Sequence, residues 1–320
     1  LAERKIIRWL LEHQEADGSW AGIQPPWVYS LIALHTLGYG PEHEAVKKGF
    51  EGFDVFTLED DDKCNVQACI SPVWDTGIAQ LALLDSGLAP DDPMVQSSAR
   101  WLMDKQIFTG GDWQVRAKST RPGGWSFEFD NLLYPDIDDA SIVVMAMDKV
   151  KLPEAEEIRR NGSIRRGVEW MSGMQSKNGG GAAFDKDNNK KYLTKIQFSD
   201  FGETLDPPSV DVTAHLLEMY GRLGYTKDDL LVSRGFEYVI SEQEEDGSWF
   251  GRWGVNYIYG CGAVLPALEA IGEDMSQPYI RRCVDWLVAH QNDDGGWGES
   301  CGSYVDPALH GVGPSTASQT

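Results

Sequence analysis

Apolar and polar positions along this chain fall into two alternating kinds of block, both of helical length. In the first kind, apolar residues recur every three or four positions among charged ones, as in helices with one buried face. Such helices are predicted over 3–14, 43–56, 93–106, 163–175, 228–243 and 276–291. In the second kind nearly every position is apolar, which predicts buried helices over 27–37, 75–84, 138–150, 211–220 and 257–271. A sixth buried helix is predicted to begin at Ser315 and to be cut off.

A repeated motif follows most of the polar helices, and we name it the staple. An aromatic or large residue is followed five positions later by Gln, then by a Gly-bearing turn and a second aromatic residue. The five Gln residues are Gln14, Gln106, Gln175, Gln243 and Gln291, and the closing aromatic residues are Trp20, Trp113, Phe184, Trp249 and Trp297. Gly can adopt the left-handed conformation that ends a helix, and the Gln amide can satisfy loose backbone groups there. The motif therefore predicts a structural role.

The alternation predicts an all-α fold. Six polar and six apolar helices favour an α/α toroid, a double ring of six inner and six outer helices with the sixth inner helix truncated. An open superhelix of helical pairs is the alternative, but the strong hydrophobicity of every second helix favours closure. Strand signals are weak, and we expect 1–320 to form a single α/α barrel domain. The chain begins without Met and stops inside a predicted helix, which predicts a piece of a longer polypeptide.

Composition narrows the possible functions. The formal net charge of −22 argues against nucleic-acid binding, which needs a basic surface. The five Cys residues form no Cys-x-x-Cys pair, which favours reduced thiols over a disulfide framework. No apolar stretch is long enough to cross a bilayer.

The densest carboxylate cluster with an identifiable setting is Asp136, Asp138 and Asp139. A Gly-rich aromatic loop precedes it and an apolar helix follows. Taken alone, such acids are ordinary caps for the first turn of a helix. His215 lies four residues after Asp211, so both side chains share one face of a predicted inner helix. The structural alternative is a core histidine that Asp211 satisfies.

Together these motifs resemble those of squalene–hopene cyclases, which are class II terpene cyclases. The resemblance rests on the Asp-x-Asp-Asp cluster, the staples, DVTAH at 211–215 and GSWFGRWGVNYIYG at 247–260, and it extends from Trp9 to Thr320. It implies a fragment of a longer two-barrel enzyme, with the cavity between the barrels. This chain matches most of the barrel that holds the acid, so we expect the isolated fragment to be inactive.

The resemblance implies an intramolecular transferase, or isomerase, that cyclises squalene to hopene or hopanol after protonating it. Asp138 is then the proton donor, Asp136 and Asp139 flank it, and His215, held by Asp211, polarises it. The residue types suit this chemistry, because packing and burying carboxyls keeps one of them protonated while a nearby imidazolium stabilises the carboxylate left after transfer.

The same resemblance implies a cation-stabilising aromatic lining. The expected lining residues are Trp74, Phe127, Phe184, Phe198, Phe201, Trp253 and Tyr259. Phe127 and Trp253 are the strongest choices because both sit beside Gly-bearing irregular segments, and core packing is the alternative for each of the seven. No cofactor and no metal are expected. The expected partners are squalene and, through parts of the enzyme outside this chain, the inner face of the bacterial cytoplasmic membrane; a homodimer stays open.

Two departures from the family pattern affect the acid's surroundings: Ala140 replaces the usual Thr and Glu128 replaces the common Gln. Alternative functions are a class II cyclase of another prenyl or diterpene substrate, a zinc-dependent prenyltransferase subunit, and a helical-repeat binding module. The acidic run 59–62 could hold magnesium as in class I terpene synthases, but a solvated loop is the favoured interpretation because no second acidic cluster lies on an evident helix.

Overall fold

The computed structural model describes residues 1–190, 192–193 and 205–320. Within these residues it contains eleven α-helices and one two-stranded sheet. The first six helices are α1 (Ala2–Glu12), α2 (Gln24–Thr36), α3 (Glu44–Phe56), α4 (Pro72–Asp85), α5 (Pro93–Asp104) and α6 (Ile137–Asp148). The remaining five are α7 (Glu154–Met174), α8 (Val210–Arg222), α9 (Leu230–Ser241), α10 (Tyr257–Ala270) and α11 (Pro278–Ala289).

Every complete helix predicted from the apolar pattern is present, and most bounds agree within three residues. The exception is α7, which begins at Glu154, nine residues before the predicted start. Its first turns are highly charged and are held by ion pairs such as Glu156 with Arg100, so they carry no apolar period to recognise. The residues after Ser315 form a single turn, in which Thr320 N–H donates to Thr316 O at 3.0 Å, rather than a helix.

A hairpin that the sequence did not predict connects α3 to α4. Strands β1 (Thr57–Asp60) and β2 (Lys63–Val66) pair antiparallel, although the strand signals are weak. The acidic run 59–62 lies at the end of β1 and in the hairpin turn. All four of its side chains are exposed, as the solvated interpretation requires.

The chain forms two compact units, one comprising 1–114 and 121–167 and the other 115–120 and 168–320. In the first unit α6 packs on α4, and every residue from Ile137 to Met147 is buried. Helices α2 and α4 leave some apolar side chains exposed, including Tyr29, Ile32 and Ile78. In the second unit α8 packs on α10, and both helices are mostly buried. The expectation of a single barrel domain stays a prediction.

The staples have the structural role predicted for them. The side-chain amide of Gln175 donates to two backbone carbonyls, Gly179 O at 2.8 Å in its own turn and Leu231 O at 2.9 Å in the next outer helix. Gln14 and Gln243 make the equivalent pairs of bonds. The turn glycines Gly18, Gly179, Gly247 and Gly295 have φ between +87° and +98°, the left-handed conformation. Each staple thus ends one outer helix, and these three also tie it to the next outer helix.

Two staples close on residues other than those predicted. Gln106 donates to Gly123 O at 2.7 Å, and the indole that donates to the preceding helix is Trp125, bound to Leu102 O at 2.7 Å, not Trp113. Extra residues between Gln106 and the Gly-Gly-Trp sequence at 123–125 move the closing turn further along the chain. The nearer Gly-Asp-Trp sequence at 111–113 resembles that turn, and the prediction selected it for that reason. In the Gln175 staple, Gly181 rather than Phe184 occupies the closing position.

Backbone pairing identifies that position in each case. Trp125 O accepts from Asp136 N–H at 2.9 Å, and Gly181 O accepts from Ser209 N–H at 3.0 Å. Asp136 and Ser209 are the residues that precede α6 and α8. Thr316 N–H donates to Trp297 O at 3.0 Å in the same way. Each of these staples therefore fixes the residue that precedes an inner helix or, for Thr316, the corresponding position.

Candidate active site

The predicted acid cluster forms the start of α6. Asp136 has extended backbone (φ −128°, ψ 158°) and its Oδ1 accepts from Asp139 N–H at 2.7 Å, so Asp136 caps the helix. Its own N–H is held by Trp125 O, which places the cap directly against the staple. The local sequence therefore builds an ordinary cap, but in a buried setting.

Burial changes the protonation of this cluster. The pKa of Asp136 is raised to about 7 because burial removes the charged form from water. The pKa of Asp139 is raised well above its usual range, first by burial and then by the negative charge of Asp136. Asp136 Oδ2 and Asp139 Oδ1 find no donor in the described part of the chain while both groups are ionised. The two side chains are within hydrogen-bonding reach of each other, so one proton shared between them satisfies both carboxyls.

Asp138 is the most accessible of the three acids. Its exposed fraction is 9%, against 3% each for Asp136 and Asp139. Asp75, in the first turn of α4, adds a further negative charge that raises the pKa of Asp139. The starts of α4 and α6 thus bring four carboxyls into one cluster of negative charge. Among its three buried members, Asp138 has the largest exposed fraction.

The second unit contains Asp211 and His215, both on α8. Asp211 is fully buried, and its Oδ2 accepts from the backbone N–H groups of Arg252 at 2.9 Å and Trp253 at 2.7 Å. Sequence reasoning assigned Asp211 to holding His215; its contact with the backbone beside Trp253 was not foreseen. Asp211 therefore positions one of the expected lining residues.

Aromatic rings of the second unit meet in two edge-to-face pairs. The ring centroids of Phe184 and Trp253 lie 5.7 Å apart, and those of His215 and Tyr259 lie 6.4 Å apart. The loop beside Trp253 lies on the Tyr259 ring, since a Cβ at Gly254 would come within 2.4 Å of its Cγ. Sequence reasoning selected all four residues, and the structure brings them together as two pairs.

Asp206 is a site residue that sequence reasoning missed. It accepts from the backbone N–H groups of Phe184 at 2.7 Å and Asp185 at 2.8 Å, and so fixes the loop that carries Phe184. Burial raises its pKa to about 6, although those two N–H groups and the positive charge of Arg252 oppose the shift. Its position after an irregular segment, with no periodic neighbours, left no signal in the sequence.

Exposure separates the expected lining residues from core aromatics. Trp74, Phe127, Phe184 and Tyr259 are half-buried, and Trp253 is 49% exposed. By contrast, Trp125 and Trp249, the closing residues of two staples, are fully buried. The five residues therefore present ring surface that the core does not cover. Phe198 and Phe201 lie outside the described residues.

Comparison with known sequences gives the family. Residues 70–320 match the squalene-hopene cyclase C-terminal domain, and residues 1–62 match the squalene-hopene cyclase N-terminal domain. The chain belongs to the squalene-hopene cyclase family. It is 51% identical to the squalene–hopene cyclase of Alicyclobacillus acidocaldarius over all of this chain and 50% of that protein. It is 45% identical to the dammaradiene synthase of Dryopteris crassirhizoma over 99% of this chain and 49% of that protein.

Solved structures of other cyclases share the fold of this chain. A type II terpene cyclase from Scytonema, solved with geranylgeranyl dihydroxybenzoate, matches with a TM-score of 0.51 and 16% identity over 92% of this chain and 64% of that one. The ent-copalyl diphosphate synthase of Streptomyces platensis matches with a TM-score of 0.50 and 18% identity over 81% of this chain and 41% of that one. The likeness confirms the predicted class, an all-α fold of the α/α-toroid type.

The chain spans about half the length of the relatives it matches in sequence. Among the described residues, no helix has both the length and the apolar character that crossing a membrane requires.

Proposed function

We propose that this chain carries the proton-donating site of a cyclase that converts squalene to hopene or hopanol, with Asp138 as the donor. The observation that carries the proposal is a buried set of carboxyls, at least one of them protonated near neutral pH, in which Asp138 is the most accessible. The 51% identity to a squalene–hopene cyclase supports the substrate and product.

The first chemical step needs a dry and unusually strong acid. The O–H bond of the Asp138 carboxyl breaks as its proton adds to a terminal carbon–carbon double bond of squalene, and the positive charge appears on the neighbouring tertiary carbon. An aqueous carboxyl with a pKa of about 3.9 is ionised at neutral pH and has no proton to give. Burial raises the pKa of Asp136 to about 7 and that of Asp139 well above its usual range, so this cluster keeps a proton close to the proposed donor.

After transfer, the negative charge must be stabilised. By the family resemblance we assign that role to His215, since an imidazolium stabilises a carboxylate. Asp211, four residues earlier on α8, provides a negative charge that suits a protonated imidazole. Neighbouring acids and an imidazolium act in opposite directions on a carboxyl, and such a combination lets a site hold a proton and then release it.

The positive charge then migrates along the folded chain as successive double bonds attack it. An aromatic face can stabilise a desolvated cation by about 0.5–2 kcal/mol without offering a lone pair that would trap it. Trp74, Phe127, Phe184, Trp253 and Tyr259 expose ring surface and fit this lining, and Phe198 and Phe201 belong to it by position in the family. Loss of a proton ends the reaction at hopene, and capture of water ends it at hopanol.

The proposed reaction also has consequences for cofactor use, membrane access and the final product. Such a reaction needs no cofactor. Its oily substrate suits access from a membrane, and the family resemblance favours the cytoplasmic face. The 45% identity to a dammaradiene synthase favours one second candidate, a cyclase of the same class that ends at another triterpene. Product analysis by gas chromatography and mass spectrometry separates the two.

The test is the variant Asp138→Asn in the natural protein that contains this chain. A general acid contributes roughly 10²- to 10⁴-fold to a rate, so cyclised product should fall at least about 100-fold. Asp61→Asn, in the exposed hairpin turn, is the matched control and should leave product unchanged. Substantial turnover by a correctly folded Asp138→Asn enzyme would refute the donor assignment.

A second test concerns the extent of the site. We expect purified 1–320 to yield no cyclised squalene, because the relatives are about twice as long and the family cavity lies between two barrels. Polycyclic product from this piece would contradict that expectation.

A further inference from the structure

Two further buried carboxyls lie in the first unit, one on the loop that carries Phe127 and the other in the turn that follows α1. Glu128 directly follows Phe127 and is only 2% exposed, although it is a glutamate. Glu15, in the turn that follows α1, is 6% exposed. Buried acids are rare unless something specific compensates them, so both positions require a physical explanation.

Both side chains face the same loop, 127–133. The Glu128 carboxylate accepts from Asp130 N–H at 2.9 Å. The backbone N–H groups of Leu133 and Leu132 are close enough to Glu15 to lower its pKa. Glu15 Oε1 has no hydrogen-bond partner among the described residues. The two acids thus interact with the loop at its beginning and at its end.

The loop is packed closely on the turn that follows α1. Gly22 has φ +65°, and a Cβ there would lie 3.3 Å from both Glu128 Cβ and Asn131 Nδ2. At its other side the loop contacts α4, because Phe127 O accepts from Val73 N–H at 3.4 Å. Phe127 is therefore held between the start of α4 and the segment that contains Glu15.

The charges around this pair are mostly negative. Burial is the main cause that raises the pKa of Glu15 and that of Glu128 to about 7, and in both cases Asp17 and Asp130 raise it further. Opposing these effects are the backbone N–H groups and, for Glu128, the positive charge of Lys105. Above neutral pH, Glu15, Asp17, Glu128 and Asp130 bring four negative charges to the loop and to the turn after α1. Two lysines lie nearby, Lys105 and Lys48, and Lys48 Nζ donates to Glu15 O at 3.3 Å.

We propose that Glu15 and Glu128 are positioning residues for Phe127, whose loop they hold against the turn after α1 only while they are uncharged. The proposal rests on the proposed function, because it takes Phe127 to be part of the lining of the reaction cavity. Once both acids ionise, repulsion from Asp17 and Asp130 and the need of both acids for water loosen the loop, and the Phe127 ring loses its fixed position. The effect belongs to this chain, since the family commonly has Gln at position 128, which stays neutral.

Product composition tests this proposal apart from the rate of initiation. Every product begins with the same protonation by Asp138, so titration of the acid cluster changes the total yield but not the ratio among products. A displaced Phe127 instead leaves a cation unstabilised part-way and raises the ratio of incompletely cyclised to fully cyclised product. From about pH 6 to about pH 8 the protonated fraction of a group with a pKa of about 7 falls about tenfold, and the product ratio should rise several-fold.

The variants Glu128→Gln and Glu15→Gln should keep the low-pH ratio throughout that range. Glu12→Gln removes an equal charge from an exposed position three residues before Glu15 and should follow the natural protein. A ratio that does not change with pH in the natural protein, or a Glu128→Gln ratio that changes equally, would overturn the proposal. Absence of cyclised product at every pH would instead be a failure of the proposed function.

Hydrogen–deuterium exchange gives a readout that needs no activity. After correction for the intrinsic pH dependence, backbone amides of 129–133 should lose protection several-fold between about pH 6 and about pH 8 in the natural protein but not in Glu128→Gln. Equal protection of this loop at both pH values would overturn the proposal even if no product forms.

Discussion

The contact between Asp211 and the backbone beside Trp253 yields a quantitative prediction. Asp211 Oδ2 accepts two N–H groups, from Arg252 and Trp253, at 2.9 and 2.7 Å. A hydrogen bond to a charged group contributes about 1.5–3 kcal/mol, and two bonds that share one oxygen in a part-buried site fall towards the lower end. Asp211→Ala should therefore destabilise the closed loop by roughly 2–4 kcal/mol. Asp211→Asn keeps an accepting oxygen and should cost about 1 kcal/mol.

Hydrogen–deuterium exchange of the 252 and 253 amides measures this directly. Since about 1.36 kcal/mol corresponds to a factor of ten, exchange should be about 30- to 1,000-fold faster in Asp211→Ala and about fivefold faster in Asp211→Asn. Incomplete cyclisation should increase in the same order, because Trp253 is an expected part of the cavity lining.

Asp206 supplies the matched control, since it holds the Phe184 loop through two N–H groups in the same manner. Asp206→Asn should speed exchange at residues 184 and 185 and leave 252 and 253 unchanged. Unaltered exchange at 252 and 253 in Asp211→Ala would refute the reasoning. Equal effects of both variants on both loops would show a general loosening of the unit instead of a local anchor.

Three further predictions use the packing and the charges of single residues. In α7, a Cβ at position 167 would lie 2.6 Å from the ring of the staple Trp, whereas position 162 has nothing within 4 Å. Gly167→Ala should lower the free energy of unfolding by about 1–3 kcal/mol and Gly162→Ala should raise it by about 0.5–1 kcal/mol; urea denaturation giving the same sign for both would contradict this. Gln175→Ala removes the donor of two backbone carbonyls and should lower the free energy of unfolding by about 2–3 kcal/mol, whereas Gln291→Ala, at an exposed position, should lower it by less than about 1 kcal/mol. Equal melting temperatures of the two variants would be inconsistent with a structural role of the Gln175 staple. The pKa of Asp139 is raised on folding, so its stabilising contribution is complete below about pH 3.9 and is lost as pH rises through the folded-state value. Asp139→Asn should therefore reduce the pH slope of the unfolding free energy by up to about 1.4 kcal/mol per pH unit. An unchanged slope would count against the raised pKa of Asp139.

The sequence was sufficient where one physical cause dominates. Apolar periodicity reproduced the helices because burial of one face or of all faces determines them, and it failed at the start of α7, where charge pairs replace apolar contacts. The interval between Gln and Gly located four staples, but an insertion placed the closing Trp of the second at position 125 instead of 113. A fixed interval cannot recognise a turn that is completed by residues further along the chain.

The site divides in the same way. Residue types and spacing selected Asp136, Asp138 and Asp139, because a cap followed by a buried helix is a local feature of the sequence. The roles of Asp206 and Asp211 as acceptors for distant backbone N–H groups were not predictable, since their partners lie 21 to 42 residues away in the chain. Such bonds depend on tertiary packing, which no short motif records.

Backbone N–H groups that reach a buried carboxyl oppose the effect of burial on its pKa. Asp206 accepts two such bonds, and its pKa is about 6. Asp136 accepts one at hydrogen-bonding distance, and its pKa is about 7. Asp139 accepts none among the described residues, and burial raises its pKa well above its usual range. The start of a helix ordinarily favours an anion, but at α6 the favourable N–H is used by Asp136. Asp139 accepts no such N–H from the described part of the chain and stays uncharged in its buried position by keeping a proton. The start of α6 therefore holds a protonated carboxyl.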